Sequence, residues 1–142
     1  GFQVLHAYGR KNDVPVSHGH YTAVPYIDDM EAAYAVADVV ICRSGAMTVV
    51  ENSAAGVPAI YIPLPHGNGE QGLNSAHLVE AGAAKRIDDA DLTADALVGA
   101  VVEILGDAGV KEQMRAILQG SGAGNAAEEI ARRIVAAAGR KS

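Results

Sequence analysis

The sequence predicts an α/β protein with a Rossmann-like open parallel sheet flanked by helices. Short, largely apolar runs of strand length recur along the chain, and most are separated from the next by one helical segment. That alternation is typical of right-handed βαβ units, whose strands are parallel and covered on both faces. The composition agrees, because 16 glycines, 49% hydrophobic residues and only 4% aromatic residues suit close packing of helices on a sheet.

The predicted strands begin and end at polar segments or at prolines. The first is followed by a polar loop from Gly9 to His20. The third is apolar throughout after Asp38, as expected of a strand buried on both faces. The fourth has a proline at each end, where a missing N–H is tolerated. The predicted strands are 2–8, 21–27, 38–42, 58–63 and 83–87.

Capping residues mark the ends of the predicted helices. Asp28 and Asp29 precede the first helix, where acidic side chains suit the positive end of the helix dipole. Gly56 and Gly82 end the second and third helices, and Thr93 caps the fourth. The predicted helices are 30–37, 44–55, 70–81, 93–105, 110–118 and 125–138, with a Gly-rich link at 119–124.

The chain is predicted to have two parts. Residues 1–124 form the Rossmann-like domain, and residues 125–142 form a covering helix followed by a basic tail at Arg140 and Lys141. Ligands in such folds bind at the carboxyl ends of the strands. The segments that directly follow strands are therefore the candidate sites.

Charge and cysteine content exclude several classes of function. Eleven basic residues against 17 acidic ones give a formal net charge of -6, which provides no electrostatic footprint for DNA or RNA. The single cysteine, Cys42, cannot form an internal disulfide, as is typical of a reducing cytosol. No apolar run approaches the roughly 20 residues that span a bilayer, and the first residues lack a signal-peptide pattern. We therefore expect a soluble intracellular protein.

The first candidate site is the segment 43–51, which follows the third predicted strand. Ser44, Thr48 and Glu51 are spaced i, i+4 and i+7 and share one helix face. A helix that begins at Ser44 would offer free N–H groups to a phosphate, and Glu51, which only accepts, would suit the vicinal hydroxyls of a ribose. The spacing equally allows Ser44 to be a simple cap and Glu51 to be solvated. The residues predicted to face the sheet are Met47, Val50 and Ala54.

A second candidate site follows the fourth predicted strand. The loop 66–69 contains two glycines and leads into a helix on which Gln71 and Asn74 point the same way. Side-chain amides donate and accept hydrogen bonds, as the hydroxyls of a sugar require. The same amides could also be ordinary solvated surface groups.

The remaining polar clusters carry weaker signals. His18 and His20 have no further ligand at metal-binding spacing, so no metal site is expected. Asp88, Asp89 and Asp91 are predicted to form a solvated turn. The sequence contains neither a Gly-x-Ser-x-Gly nucleophile motif nor a Gly-Lys-Ser/Thr phosphate loop.

Several segments of the chain resemble the MurG family of bacterial N-acetylglucosaminyltransferases. The segments are 26–30, 38–51, 54–59 and 63–74, and the weaker resemblance runs from about Val4 to the end of the chain. It implies the C-terminal half of a GT-B glycosyltransferase, in which two Rossmann-like domains face each other across a cleft. In that family this half binds the donor, UDP-GlcNAc.

The resemblance implies a hexosyltransferase of cell wall synthesis. The full enzyme transfers N-acetylglucosamine from UDP-GlcNAc onto lipid I to form lipid II of peptidoglycan, without a cofactor or a required metal. It is implied to lie on the cytoplasmic face of the bacterial cell membrane as a peripheral protein. The family's N-terminal domain, which is expected to hold the catalytic groups, the acceptor and the membrane-facing patch, does not occur in this chain. Nor do the first strand and Gly-rich turn of its C-terminal domain, so we expect no catalytic residue and no turnover by this chain alone.

The resemblance also assigns binding residues by position. The backbone of Ile27 would meet the uracil, Glu51 the ribose hydroxyls, and residues 44–48 the diphosphate and nearby sugar. Gln71, with Glu70 and Asn74, would meet the GlcNAc hydroxyls, although the family often has two glutamines where this chain has Glu70-Gln71. The residues assigned to UDP-GlcNAc are Ile27, Arg43, Ser44, Gly45, Ala46, Met47, Thr48, Val49, Val50, Glu51, Glu70, Gln71 and Asn74.

Two alternatives share the fold. Another GT-B transferase of UDP-sugars, or a UDP-sugar epimerase, would contain the same helix 44–55 but prefer a different sugar. A non-catalytic module would bind the nucleotide without turnover. Neither alternative involves a nucleic acid partner.

Overall fold

The computed structural model describes residues 2–65 and 69–120, and the chain forms two compact units, 1–36 and 37–142. Within the described ranges, no helix is both long enough and apolar enough to cross a membrane. The predicted covering helix and tail, 125–142, lie outside the described residues.

The first unit contains a pair of parallel strands and a short helix. Strand β1 (Val4–Ala7) pairs in parallel with β2 (Tyr21–Val24), and Val4 lies opposite Tyr21. Helix α1 (Met30–Val36) begins where the aspartates predict, because the Asp29 carboxylate accepts a hydrogen bond from the Ala32 N–H at 3.0 Å.

The second unit contains a three-stranded parallel sheet with the order β3-β4-β5. Its strands are β3 (Val40–Cys42), β4 (Ala59–Tyr61) and β5 (Ala84–Arg86). Its helices are α2 (Ala46–Ala55), α3 (Glu70–Glu80), α4 (Ala94–Leu105) and α5 (Ala108–Gly120), and a 3₁₀ turn covers Asp89–Asp91. The predicted class, parallel strands flanked by helices, is confirmed, with the described strands divided between one sheet in each unit.

The central strand β4 organises the core of the second unit. All of its residues are buried, and side chains on its two faces enter two different clusters. Tyr61 packs with Val49, Leu78 and Leu118, whereas Ile60 packs with Ile104 and Met114. The strand is thus held between helices on both sides, as its predicted apolar run requires.

Several predicted helix ends are confirmed and others are wrong. Thr93 caps α4, since its side chain accepts a hydrogen bond from the Ala96 N–H at 3.0 Å. Gly56 ends α2 in the left-handed conformation, with φ 71°, which suits a residue without a Cβ. Helix α5 continues through Gly120, so the link predicted to begin at residue 119 begins too early.

The prediction of which α2 side chains face the sheet is wrong. Met47 and Ala54 are exposed and Val50 is only half-buried. The buried side chains are instead Val49, Asn52 and Ser53. Hydrophobicity alone misplaces this face because two of the residues that cover the sheet are polar.

The buried polar residues of α2 are hydrogen-bonded. Asn52, which is 1% exposed, donates through Nδ2 to Cys42 Sγ at 3.3 Å and to the Tyr61 hydroxyl at 3.4 Å. Ser53 donates to the Val49 carbonyl at 2.8 Å. These bonds offset part of the loss of water that makes a buried polar group costly, although Asn52 Oδ1 is buried without a hydrogen-bond partner among the described residues.

Burial of the Tyr61 hydroxyl predicts that the protein loses stability at alkaline pH. Burial raises the pKa of Tyr61 to about 12 and also raises the pKa of the Cys42 thiol, against the opposing hydrogen bond from Asn52. Because the raised pKa of Tyr61 belongs to the folded state, its contribution to stability is complete below pH 10. As pH rises from 10 toward 12, Tyr61 ionises in the unfolded chain before it ionises in the folded protein. The free energy of unfolding therefore falls over this range, by about 3 kcal/mol in total.

Urea unfolding between pH 8 and pH 11 measures this loss. We expect the free energy of unfolding to fall more steeply with pH in the unaltered protein than in Tyr61→Phe. Tyr26→Phe is the matched control, since Tyr26 is 58% exposed. Parallel profiles for the unaltered protein and Tyr61→Phe would contradict the prediction.

Candidate binding site

The candidate site lies where α2 and α3 begin, at the carboxyl edge of the three-stranded sheet. Helix α2 follows β3, and α3 follows the neighbouring strand β4. Because parallel strands end on the same edge, both helices start there, and this is where α/β folds bind ligands. The predicted loop 66–68 lies outside the described residues.

Ser44 joins the two predicted candidate segments. Its side chain is fully buried, and its hydroxyl donates to the Gln71 carbonyl at 2.7 Å. In return, Asn74 Nδ2 donates to the Ser44 carbonyl at 3.0 Å. The structure therefore brings Ser44, Gln71 and Asn74 into one hydrogen-bonded cluster.

Ser44 does not cap α2, and the predicted start of the helix is two residues too early. Gly45 is the N-cap residue, and no side chain forms a capping hydrogen bond there. The Ser44 hydroxyl is instead committed to the backbone of α3. The interpretation of Ser44 as a simple helix cap is wrong, because a partner distant in sequence takes its hydroxyl.

The first turn of α2 can hold an anion. The first helical bond runs from the Val49 N–H to the Gly45 carbonyl at 3.0 Å. The N–H groups of Ala46, Met47 and Thr48 precede it, so they have no carbonyl within the helix to accept them. Together with the positive end of the helix dipole, they suit a phosphate.

The other predicted residues of α2 differ in exposure. Glu51 is exposed and lies one turn beyond Ala46 and Met47, on the same face as the half-buried Thr48. Val49 packs in the core and Val50 is half-buried.

Gln71 shapes the cluster through both ends of its side-chain amide. Its Oε1 accepts from the Leu64 N–H at 2.8 Å, which ties the segment after β4 to the first turn of α3. Its Nε2 lies beside Gly45, 4.0 Å from where a Cβ would stand. Glu70, exposed at the first position of α3, adds a negative charge at that helix end.

Arg43 connects the ends of all three strands of the sheet. It directly follows β3, and its Nη1 donates to the Ile62 carbonyl after β4 at 3.3 Å. The same nitrogen lies 2.6 Å from Asp89 Oδ1, after β5. The predicted turn is present, and Asp88 and Asp91 are exposed, but Asp89 is half-buried and forms an ion pair with Arg43.

Asp89 is the residue that sequence reasoning missed. It lies 46 residues from Arg43 along the chain, and no local spacing connects the two. The only available signal was its position after a predicted strand, at the edge where ligands bind.

Ile27, assigned to the uracil, belongs to the first unit. It is half-buried and follows β2, between the strand and α1. The preceding Tyr26 is exposed, and the Arg10 guanidinium lies over its ring, 5.1 Å from the centroid. Within the described part of the chain, no three His, Cys, Asp or Glu side chains are placed to hold an ion.

Comparison with protein families gives one match that covers most of the chain. Residues 1–133 match the model of the glycosyltransferase family 28 C-terminal domain. A UDP-N-acetylglucosamine--N-acetylmuramyl-(pentapeptide) pyrophosphoryl-undecaprenol N-acetylglucosamine transferase of Corynebacterium glutamicum strain R is 57% identical over 96% of this chain. The transferase of the same description from Rhodococcus opacus is 50% identical over 95% of the chain. The chain spans only 38% and 36% of these relatives.

Solved structures show the same relationship in three dimensions. Acinetobacter baumannii MurG superimposes with a TM-score of 0.63 and 29% identity, over 79% of this chain and 33% of that one. The glycosyltransferase of kitacinnamycin gives a TM-score of 0.67 and 29% identity, over 92% of this chain and 34% of that one. The calicheamicin glycosyltransferase CalG4, at 24% identity and a TM-score of 0.65 over 96% of this chain and 36% of that one, shares the fold.

Proposed function

Because the chain belongs to the glycosyltransferase family 28 C-terminal domain family, we propose that it is the donor-binding part of an N-acetylglucosaminyltransferase of peptidoglycan synthesis. The whole protein would move N-acetylglucosamine from UDP-GlcNAc onto lipid I and so form lipid II. The 57% identity to a transferase of that description in Corynebacterium glutamicum supports this choice of substrates. The part of the relatives that this chain does not span would hold the acceptor and associate peripherally with the cytoplasmic face of the membrane.

The chemistry of the site supports a nucleotide-sugar as the ligand. The diphosphate would lie against the first turn of α2, where N–H groups without helical partners meet the positive end of the helix. The Glu51 carboxylate would repel phosphate but accept hydrogen bonds from the ribose hydroxyls. Gln71 and Asn74, whose side-chain amides lie beside Gly45 and Ser44 at the start of α2, would meet the hydroxyls of the sugar.

The observation that carries the proposal is the bonding of Ser44 to both Gln71 and Asn74. It supports one continuous site, because the Asn74 amide bonds the Ser44 carbonyl and Gln71 Nε2 lies beside Gly45, both next to the first turn of α2. Two separate sites, one for phosphate and one for sugar, would need no such connection.

The same geometry suits the transfer reaction. In an inverting transfer the 4-hydroxyl oxygen of the acceptor forms a bond to the anomeric carbon, while the bond from that carbon to UDP breaks. The proton of the hydroxyl would go to a general base. The N–H groups of Ala46, Met47 and Thr48 would stabilise the negative charge that develops on the departing UDP, and the amides would keep the sugar aligned for attack.

Calorimetric titration with UDP-GlcNAc, UDP and ADP tests the proposal. We expect UDP-GlcNAc and UDP to bind and ADP to bind more weakly by at least about tenfold, the effect of roughly 1.4 kcal/mol of lost base contacts. Equal affinity for UDP and ADP would contradict a uridine site. If circular dichroism shows that the protein is folded and it binds none of the three nucleotides, donor binding is contradicted altogether.

One observation favours a second candidate, a GT-B transferase that uses another UDP-sugar. The kitacinnamycin glycosyltransferase superimposes on this chain as well as MurG of Acinetobacter baumannii does. Titration with UDP-glucose and UDP-GalNAc separates the two functions. Preference for either sugar over UDP-GlcNAc would favour the second candidate.

A further inference from the structure

One feature of the candidate site has no role in the proposed function, the ion pair of Arg43 with Asp89. Arg43 precedes Ser44, and its guanidinium contacts the segments that follow β4 and β5. The resemblance to the MurG family assigns no role to Asp89, and the sequence pattern predicts only a solvated turn for it. We propose that Asp89 is a positioning residue for the diphosphate-binding turn of α2 and acts through Arg43.

The argument begins with how the segment 43–45 is held. On one side, Ser44 is bonded to α3 through its hydroxyl and its carbonyl. On the other side, the Arg43 side chain reaches Ile62 and Asp89. The segment is therefore attached to a helix in one direction and to two neighbouring strand ends in the other.

This attachment determines the direction of the N–H groups at the start of α2. A bound anion requires those groups to converge on one point, and their directions follow from the segment that leads into the helix. Val49 is anchored in the core and fixes the second turn. The contacts of residues 43–45 therefore affect the orientation of the first turn of α2 and leave the second turn unchanged.

Asp89 is the only one of these contacts that carries charge opposite to Arg43. Among the described residues, Arg43 has one ion pair, at 2.6 Å, and one hydrogen bond to a carbonyl, at the longer distance of 3.3 Å. A charge-assisted bond is shorter and stronger than a neutral one. Without the Asp89 charge the guanidinium would keep only its weaker contact, and the turn would lose one of its supports.

The inference rests on the proposed function, and its test separates the two. Asp89→Asn is compared with the unaltered protein by titration with UDP and, as a ligand without phosphate, uridine. We expect Asp89→Asn to lower the affinity for UDP about two- to fivefold, the range for one partly exposed ion pair, and to leave the affinity for uridine unchanged. Asp89→Glu should restore part of the loss.

Asp88→Asn is the matched control. It removes the ion pair of Arg86 with Asp88, at 2.7 Å and of similar exposure, from the same turn. Its affinity for UDP should equal that of the unaltered protein. If the substitutions instead disturb the 3₁₀ turn as a whole, both variants should lose the same affinity for UDP, and that result would overturn the proposal.

A double substitution decides whether Asp89 acts through Arg43. Arg43→Ala combined with Asp89→Asn should bind UDP no more weakly than Arg43→Ala alone, because the second change removes a partner already lost. Additive losses would overturn the proposal, as would an Asp89→Asn variant that binds UDP as tightly as the unaltered protein or more tightly. If the unaltered protein binds no UDP, the proposed function fails and the inference fails with it.

Discussion

Replacing Glu51 with alanine should weaken the binding of UDP by about 5- to 150-fold. The variant would lose a charged acceptor for the ribose hydroxyls, an interaction worth about 1–3 kcal/mol. Glu51 lies on the exposed side of α2, beyond the turn proposed to hold the diphosphate. Because Glu51 is exposed, we expect the loss to appear in the affinity for UDP, and circular dichroism checks the fold. Titration with UDP measures it.

Two further variants sharpen this test. Glu51→Gln keeps an acceptor without the charge and should fall between the unaltered protein and Glu51→Ala. Glu80→Ala removes an exposed carboxylate from the far end of α3 and should bind UDP normally. If Glu51→Ala keeps full affinity while its circular dichroism spectrum is unchanged, Glu51 is not part of the site.

Replacing Ile60 with alanine should lower the free energy of unfolding by about 2–5 kcal/mol. Ile60 lies at the centre of β4, is 0% exposed and packs against Ile104 and Met114. The substitution would leave a cavity between the sheet and the helices that cover this face. Because β4 leads directly into the segment that meets α3, this loss would also loosen the support of the candidate site.

The sheet supplies a matched control for this prediction. Ile41 on β3 lies directly opposite Ile60 in the strand register but is 42% exposed. Ile41→Ala should therefore cost about 1 kcal/mol, less than Ile60→Ala, since much of the Ile41 side chain already contacts water and less buried apolar surface is lost. Urea unfolding of both variants gives the comparison. Equal losses would show that burial at Ile60 does not govern the stability of the sheet.

Local rules were sufficient for much of the fold. Apolar runs predict the strands, and capping chemistry predicts the starts of α1 at Asp29 and of α4 at Thr93, because the bonds involved span only three residues. The same rules fail at the start of α2. There the Ser44 hydroxyl has a choice between its own helix and the Gln71 carbonyl, 27 residues away, and it takes the distant partner.

The candidate site shows the same division between local and distant information. Strand order predicts that the segments after β3 and β4 lie at one edge, and the structure joins them through Ser44 and Asn74. The pairing of Arg43 with Asp89 depends on which strands are neighbours and on where a 3₁₀ turn places one carboxylate. Neither fact can be read from residue spacing, so the assignment of ligand contacts to these side chains stays a prediction.

The hydrogen bonds of Asn52 have a consequence for where α2 can sit along the sheet. An apolar helix face tolerates sliding, because one aliphatic contact replaces another. Asn52 finds Cys42 and Tyr61 in one position only, and a shift of the helix by one turn, about 5.4 Å, would leave its amide buried without partners. Such a shift would move the amino end of α2 by more than the length of a phosphate group. The hydrogen bonds of this polar core residue thus fix the axial position of α2 and, with it, the position of the amino end of the helix at the surface.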